Sequence, residues 1–318
     1  MKFAYLMYSS KKYTDIVPVL RTLTRQGDHA FIMVNDGKTR DEVTIEFANN
    51  PRVHISRKLE YAQEGDLSLA RGTLLQMVDA FDCEEHFDYF INLTEGMLPL
   101  KTRNEIVEYM EAHPDDHYYM YQREKDNPDL RKQFSKYYVY TNVIGFTTSW
   151  YVRLRAKAIS AFLDLIKVHR KSDDEVFIGS PWFILTAKTA RILAENYSYC
   201  SETFKLSWYA EEMCYLMMIN HFIGENEHIN DDMRVIGPDG TWTSGRGART
   251  ITEDLLQKHP EALFGGTFSE KENSELYETV LKIYNTGYRK TEVKDKEYTE
   301  EEFSKMVANI SGNKESED

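Results

Sequence analysis

FDYFINLTEGMLPLKTRNEIV (87–107) carries a strand, a turn and a helix start in one stretch. FDYFINL is a short apolar run of the kind a strand buried on both faces shows. Thr94-Glu95-Gly96 is a polar turn. TRNEIVEYMEAH (102–113) then takes helical spacing, opened by Thr102 with Glu105 three residues on, the signature of a reciprocal N-terminal cap. Working outward, KFAYLMY (2–8), HAFIMVND (29–36), RVHIS (52–56) and YYMYQ (118–122) read as further strands. Between them, 14–25 places Ile16, Val19, Leu20 and Leu23 on one helix face, and 67–81 does so with Leu67, Leu74, Leu75 and Val78. Strands alternating with helices predict an α/β fold, a mainly parallel central sheet with helices on both faces. Ligands of such sheets bind beyond the carboxyl ends of the strands. Here those ends read Tyr8-Ser9-Ser10, Asn35-Asp36-Gly37 and Thr94-Glu95-Gly96.

The second half is more mixed. Residues 123–135 are polar and read as a loop, 150–168 as a long helix, and GSPWFILT (179–186) as loop into strand. Helices follow at 187–196 and 209–222, and 237–249 is glycine-rich and basic. We expect one domain over 1–290 and a charged, partly disordered tail over 291–318.

A formal net charge of −13 over 318 residues argues against a nucleic-acid partner, whose phosphates need a clustered cationic surface. The three cysteines form no CxxC pair, which fits a reducing compartment and excludes a thiolate zinc site. MKFAYLMYSS reads as an immediate strand rather than a secretion leader, and no window reaches the apolar length of a membrane span. The expectation is a cytoplasmic protein, with peripheral contact at the inner face of a membrane left open, and the oligomeric state undetermined.

Five separated pieces, in order, resemble the core-2/I-branching β-1,6-N-acetylglucosaminyltransferase family, which includes the peptide O-xylosyltransferases. They are AYLMYSS with HAFIMVNDGK (4–10 and 29–38), the opening stretch 87–107, GSPWFILTAKTARIL (179–193), AEEMCYLMMIN (210–220) and RTITEDLLQKHPEALFGGTF (249–268). The resemblance implies a GT-A-type glycosyltransferase fold and a bacterial member. It also implies inverting transfer of N-acetylglucosamine, or a related sugar such as xylose, from a UDP donor to a glycan hydroxyl, in surface polysaccharide synthesis. The family's aspartate before its Pro-Leu pair is Met97 here, and the lysine near its last motif is Thr267.

Inverting transfer needs one carboxylate to take the proton of the acceptor hydroxyl and positive groups to stabilise the departing diphosphate. The resemblance places that base on Glu212. Glu211, Trp182 and Glu95 are then expected on the acceptor side, and Asp36, Ser9, Arg246 and Arg249 on the nucleotide-sugar side. Plainer readings stand beside these. Acids in a helix's first turn stabilise its dipole without catalysis, Asn35-Asp36-Gly37 is a good turn sequence, Trp182 suits a core, and the two arginines suit a solvated loop. There is no Asp-x-Asp tripeptide, so no metal or other cofactor is expected; the UDP-sugar is a substrate. The alternatives are a non-catalytic nucleotide- or sugar-binding module, or a metal-dependent glycosyltransferase using Glu64 or Asp66.

Overall fold

The computed structural model describes residues 1–56, 65, 67–94, 96–114, 117–139, 150–224, 230–237, 239–240, 242 and 250–288. Its centre is a five-stranded sheet of β1 (Phe3–Ser9), β2 (His29–Val34), β3 (Val53–Ile55), β4 (Tyr89–Leu93) and β8 (Ile184–Thr186), in the order β3-β2-β1-β4-β8. β1 pairs in parallel with β2 and β4, and β2 with β3, whereas β8 runs antiparallel to β4. Every residue of β2 and β4 is buried. That is why these strands are apolar on both faces rather than alternating, His29 and Asn92 apart.

Two groups of helices cover the sheet. α1 (Tyr13–Thr24) packs on α2 (Gly37–Glu46), on β2 and on α11 (Ser274–Ile283). α3 (Leu67–Asp82) lies against β1 and β2 and is flanked by α7 (Ala187–Glu195), α8 (Tyr197–Thr203) and α9 (Ala210–Ile223). α3 is held by a buried stripe of Leu67, Ala70, Leu74 and Met77, the spacing of one helix face. α4 (Arg103–Ala112) begins with the cap expected from sequence: Glu105 accepts from the Thr102 N–H at 2.8 Å, and the Thr102 hydroxyl from the Glu105 N–H at 3.3 Å. One continuous apolar cluster runs from Phe3 to Tyr284. The expected tail at 291–318 lies outside the described residues.

Three expectations need correction. The polar stretch 123–135 is not a loop throughout: it ends β6 (Tyr121–Arg123) and forms α5 (Asp129–Ser135). Leu130 and Phe134, four residues apart, are buried beneath an otherwise polar turn, and Arg131 grips Glu124 through two bonds of 2.7 and 2.6 Å. The strand expected at 118–122 does not extend the parallel sheet. Tyr118 forms an isolated antiparallel bridge to Ile184, and β6 pairs antiparallel with β7 (Phe177–Gly179). The polar turn ending β2 opens a helix, α2, which the sequence reading did not foresee.

A further small sheet joins β5 (Leu98–Pro99), β10 (Phe264–Gly266) and β9 (Arg234–Ile236), with α10 (Glu253–Lys258) before β10. α6 (Trp150–Leu165) completes the described helices.

Candidate active site

At the carboxyl ends of β1 and β4 a cleft encloses about 610 Å³ of empty space, open solvent at its mouth included. Tyr8 and Thr94 contribute from the strand ends, Thr73 and Gln76 from α3, Pro181 and Trp182 from the loop before β8, and Glu211 and Glu212 from the start of α9. This is where an α/β sheet puts its ligand.

The start of α9 is built by unusual backbone. Tyr209 sits at the N-cap in the left-handed region, with φ 51°, and offers no side-chain cap. Its N–H instead donates to the Gly65 carbonyl at 3.0 Å, while the Gly65 N–H donates to Glu211 Oε1. The Glu212 N–H turns back to the Tyr209 carbonyl at 3.0 Å. Both carboxylates are nearly closed off, Glu211 at 4% and Glu212 at 3% exposure, yet both face the cleft. Free N–H groups and the helix dipole stabilise negative charge in this first turn. Behind them α9 is apolar, and it packs so closely on β7 that a Cβ added to Gly179 would lie 2.4 Å from Leu216 Cδ1 and from the Met120 carbonyl oxygen.

The opposite wall is pinned from β4. Asn92 Nδ2 donates to the Pro181 carbonyl and Asn92 Oδ1 accepts from the Phe183 N–H, both at 2.6 Å. Arg234 Nη2 donates to the Asn92 and Phe183 carbonyls at 3.0 and 2.9 Å. The Ser180 hydroxyl donates to Asp232 at 2.7 Å and accepts from the Trp182 N–H at 3.3 Å. The loop bearing Trp182 is therefore held by four buried polar side chains, although Asp232 Oδ1 and Arg234 Nε find no hydrogen-bond partner among the described residues. Gln76 braces the floor from α3, donating to the Met7 and Phe31 carbonyls.

Burial pushes Asp232 up to about 6, against the opposing pull of Arg234, and pushes Arg234 down to about 10. Because the folded Asp232 value lies above its unfolded one, the folded chain holds a proton between pH 4 and 6 that the unfolded chain has lost. This group's contribution is most favourable at low pH and declines as pH rises through about 6. Relative to Asp232→Asn, the wild type should therefore gain stability from pH 7 to pH 4.5, by roughly 2 kcal/mol. Paired urea midpoints at the two pH values measure it, and a relative loss on acidification contradicts the assignment.

Of the residues expected from sequence, the structure brings Glu211, Glu212 and Trp182 into one cleft. Ser9 and Asp36 are not among its lining residues. Ser9 is buried at the end of β1, its hydroxyl accepting from the Lys11 N–H at 3.1 Å. Asp36 is exposed and caps α2, accepting from the Thr39 N–H at 2.7 Å. The Thr39 N–H and hydroxyl hold that carboxyl below its ordinary range. Glu95, Arg246, Arg249, Glu64 and Asp66 lie outside the described residues. Among the described residues no three His, Cys, Asp or Glu side chains converge as a metal ligand set.

Sequence reading missed Asn92, Gln76, Asp232 and Arg234. The first two left a faint signal, a lone amide inside an apolar strand and another on the buried face of a helix, because an amide retained there must have partners.

The model of the Core-2/I-Branching enzyme family matches residues 3–258. No curated protein sequence matches the chain. Among solved structures, mouse xyloside xylosyltransferase 1 in its apo form aligns over 89% of this chain and 93% of that one, at 10% identity and a TM-score of 0.31. That likeness is too slight to carry fold or function. The family match spans the sheet, the cleft and both glutamates, and on it the chain belongs to the Core-2/I-Branching enzyme family, a glycosyltransferase of the GT-A type acting on a sugar donor and an acceptor.

Proposed function

We propose that the chain is an inverting, metal-independent glycosyltransferase that moves N-acetylglucosamine, or a related sugar such as xylose, from a UDP donor to a glycan hydroxyl. The observation that supports this most is the meeting of Glu212 and Trp182 across a cleft at the strand ends. Trp182 is 6% exposed, so an acceptor sugar meets only the part of its ring that reaches the cleft. Glu212 takes the proton of the acceptor hydroxyl as that oxygen attacks the anomeric carbon. The bond from that carbon to the diphosphate oxygen breaks, through an oxocarbenium-like transition state, and UDP leaves with the electron pair. One displacement inverts the anomeric centre.

Glu211, whose Oε1 accepts from the Gly65 N–H, ties Gly65 to the start of α9 and presents its remaining edge to acceptor hydroxyls, with Glu95 assigned to the same side. Arg246 and Arg249 take the diphosphate charge in place of a metal, and Ser9 and Asp36 bound the nucleotide end. The physiological role that fits is surface polysaccharide synthesis on the cytoplasmic side of a membrane. The three free cysteines, two of them buried, suit a reducing compartment.

A panel of UDP-sugars assayed for transfer and slow hydrolysis, with and without chelator, tests this reading. Equal turnover in chelator is expected, and Arg249→Ala should weaken UDP binding more than acceptor binding. Loss of turnover in chelator would favour the metal-dependent alternative. UDP binding without turnover of any donor would favour the binding module.

A further inference from the structure

α6 is the one described helix whose apolar residues face outward. Trp150 is 75% exposed, Leu154 57%, Phe162 58% and Leu165 78%, with Tyr151 also in solvent. Trp150, Leu154, Ala158, Ala161 and Leu165 follow a spacing of four, four, three and four, which lines them along one side of a helix. Tyr151 and Phe162 widen that side into a stripe about 100° across. Among the described residues no other helix or strand makes an extensive contact with α6. An exposed stripe of this size signals an interaction surface.

Charge identifies the partner. The chain as a whole carries −13, yet residues 150–171 contain, apart from the buried Arg170, five basic residues (Arg153, Arg155, Lys157, Lys167 and Lys171) and a single acid, Asp164. That acid is already neutralised locally, bridged by Lys136 and by His169 Nε2 at 2.7 Å. On the helical wheel Lys157 follows one edge of the stripe, and Arg155 lies at the other, between Phe162 and the exposed Ile159. The Arg155 guanidinium lies 4.5 Å from the Tyr151 ring centre.

An apolar, aromatic-rich stripe edged with cations is the pattern of a helix lying flat in a lipid interface. A second copy of the chain fits poorly, because a two-fold contact through this face would set Arg155 and Lys157 against their own equivalents. Nor is α6 a span: no described helix is long and apolar enough to cross a membrane.

We propose that α6 docks the protein on the surface of a bilayer containing anionic lipid. The stripe enters the headgroup boundary and the flanking cations meet lipid phosphate. The docked element is tied to the cleft. Arg170, just beyond the helix and only 9% exposed, donates to the Phe134 carbonyl and, at 2.7 Å, to the Lys205 carbonyl. The Tyr138 N–H donates to the Leu206 carbonyl at 2.7 Å. Residues 205–209 run directly into α9 and its two glutamates, so an anchored α6 holds that mouth of the cleft beside the membrane. The docking itself does not depend on the reaction the cleft performs.

Co-sedimentation of the full chain with vesicles tests the proposal, using phosphatidylcholine alone and an equimolar mixture with phosphatidylglycerol. Binding is expected to the mixture and not to phosphatidylcholine alone, and it should weaken with salt. Replacing Trp150, Leu154, Phe162 and Leu165 together by Ser should lower it at least about ten-fold. Arg155→Gln with Lys157→Gln, which leaves the stripe intact, should lower it about thirty-fold. The changed side chains are exposed, so unaltered circular dichroism and Tm are expected of both variants. Failure of the wild type to sediment, equal binding to neutral vesicles, or variants that bind like the wild type would overturn the proposal. So would a concentration-dependent dimer in light scattering that the four Ser substitutions dissolve, which would make a second copy the occupant.

Discussion

Glu212→Gln should lower glycosyl transfer by about 10²–10⁴-fold while leaving the fold and UDP affinity close to wild type. The amide has the shape of the carboxylate but cannot accept the acceptor's proton, so the loss falls on turnover rather than on binding. Glu211 provides the internal contrast. Its Oε1 accepts from the Gly65 N–H, a bond that a glutamine oxygen can also accept. Glu211→Gln is therefore the milder of the two glutamine variants. Glu211→Ala strands that N–H and loosens the start of α9, costing about 1–3 kcal/mol of stability. Single-turnover transfer and UDP titration on the three variants separate a base from a scaffold. Undiminished transfer by the Glu212→Gln chain would remove Glu212 from the chemistry.

The largest stability loss is expected far from the cleft, at the other end of the sheet. Asp28 is fully buried. Its carboxylate accepts from Arg103 at 2.6 and 2.9 Å, from the Tyr284 hydroxyl at 2.7 Å and from the Phe3 N–H at 3.0 Å. Tyr284 in turn shares a 2.7 Å bond with the Tyr5 hydroxyl. One carboxylate thus ties the first strand, the start of α4 and the segment after α11. The hydrogen bond to Asp28 raises Arg103 above its ordinary value, and burial raises both tyrosines.

Arg103→Met leaves that charge buried without its counter-ion and should destabilise the fold by about 3–5 kcal/mol. Against a typical total of about 5–15 kcal/mol, this moves the urea midpoint far. Adding Asp28→Asn to the same chain should recover part of the loss, because the buried charge has gone with its partner. If the double variant is as unstable as the sum of the single ones, the carboxylate is not what Arg103 serves.

The elements legible in sequence are those whose signals are local. β1, β2 and β4 are buried on both sides and so are spelled as apolar runs. α3 and α4 carry one-sided stripes, and the α4 cap lies within four residues. α5 was missed because a helix of seven residues shows only two buried positions, Leu130 and Phe134. β5, β9 and β10, two or three residues each, are too short for any period to emerge.

The site divides in the same way. Glu211 and Glu212 stand out as acids before an apolar helix, and Trp182 as an aromatic after a glycine-serine-proline turn. Asn92, Gln76, Asp232 and Arg234 do not stand out, since their partners are backbone carbonyls and N–H groups of distant segments.

By itself, then, the sequence determined the long buried strands and one-sided helices, the family motifs they carry and the acid pair at the head of α9. Hydrophobic period and capping are written between near neighbours and need no partner from elsewhere. Only the tertiary structure decided that Gly65 holds Glu211 across 146 positions, that Arg234 reaches Asn92 across 142, and that α6 is left with its apolar side in solvent. Those outcomes depend on where folding brings separate segments, and a carbonyl or a bare helix face has no residue code of its own.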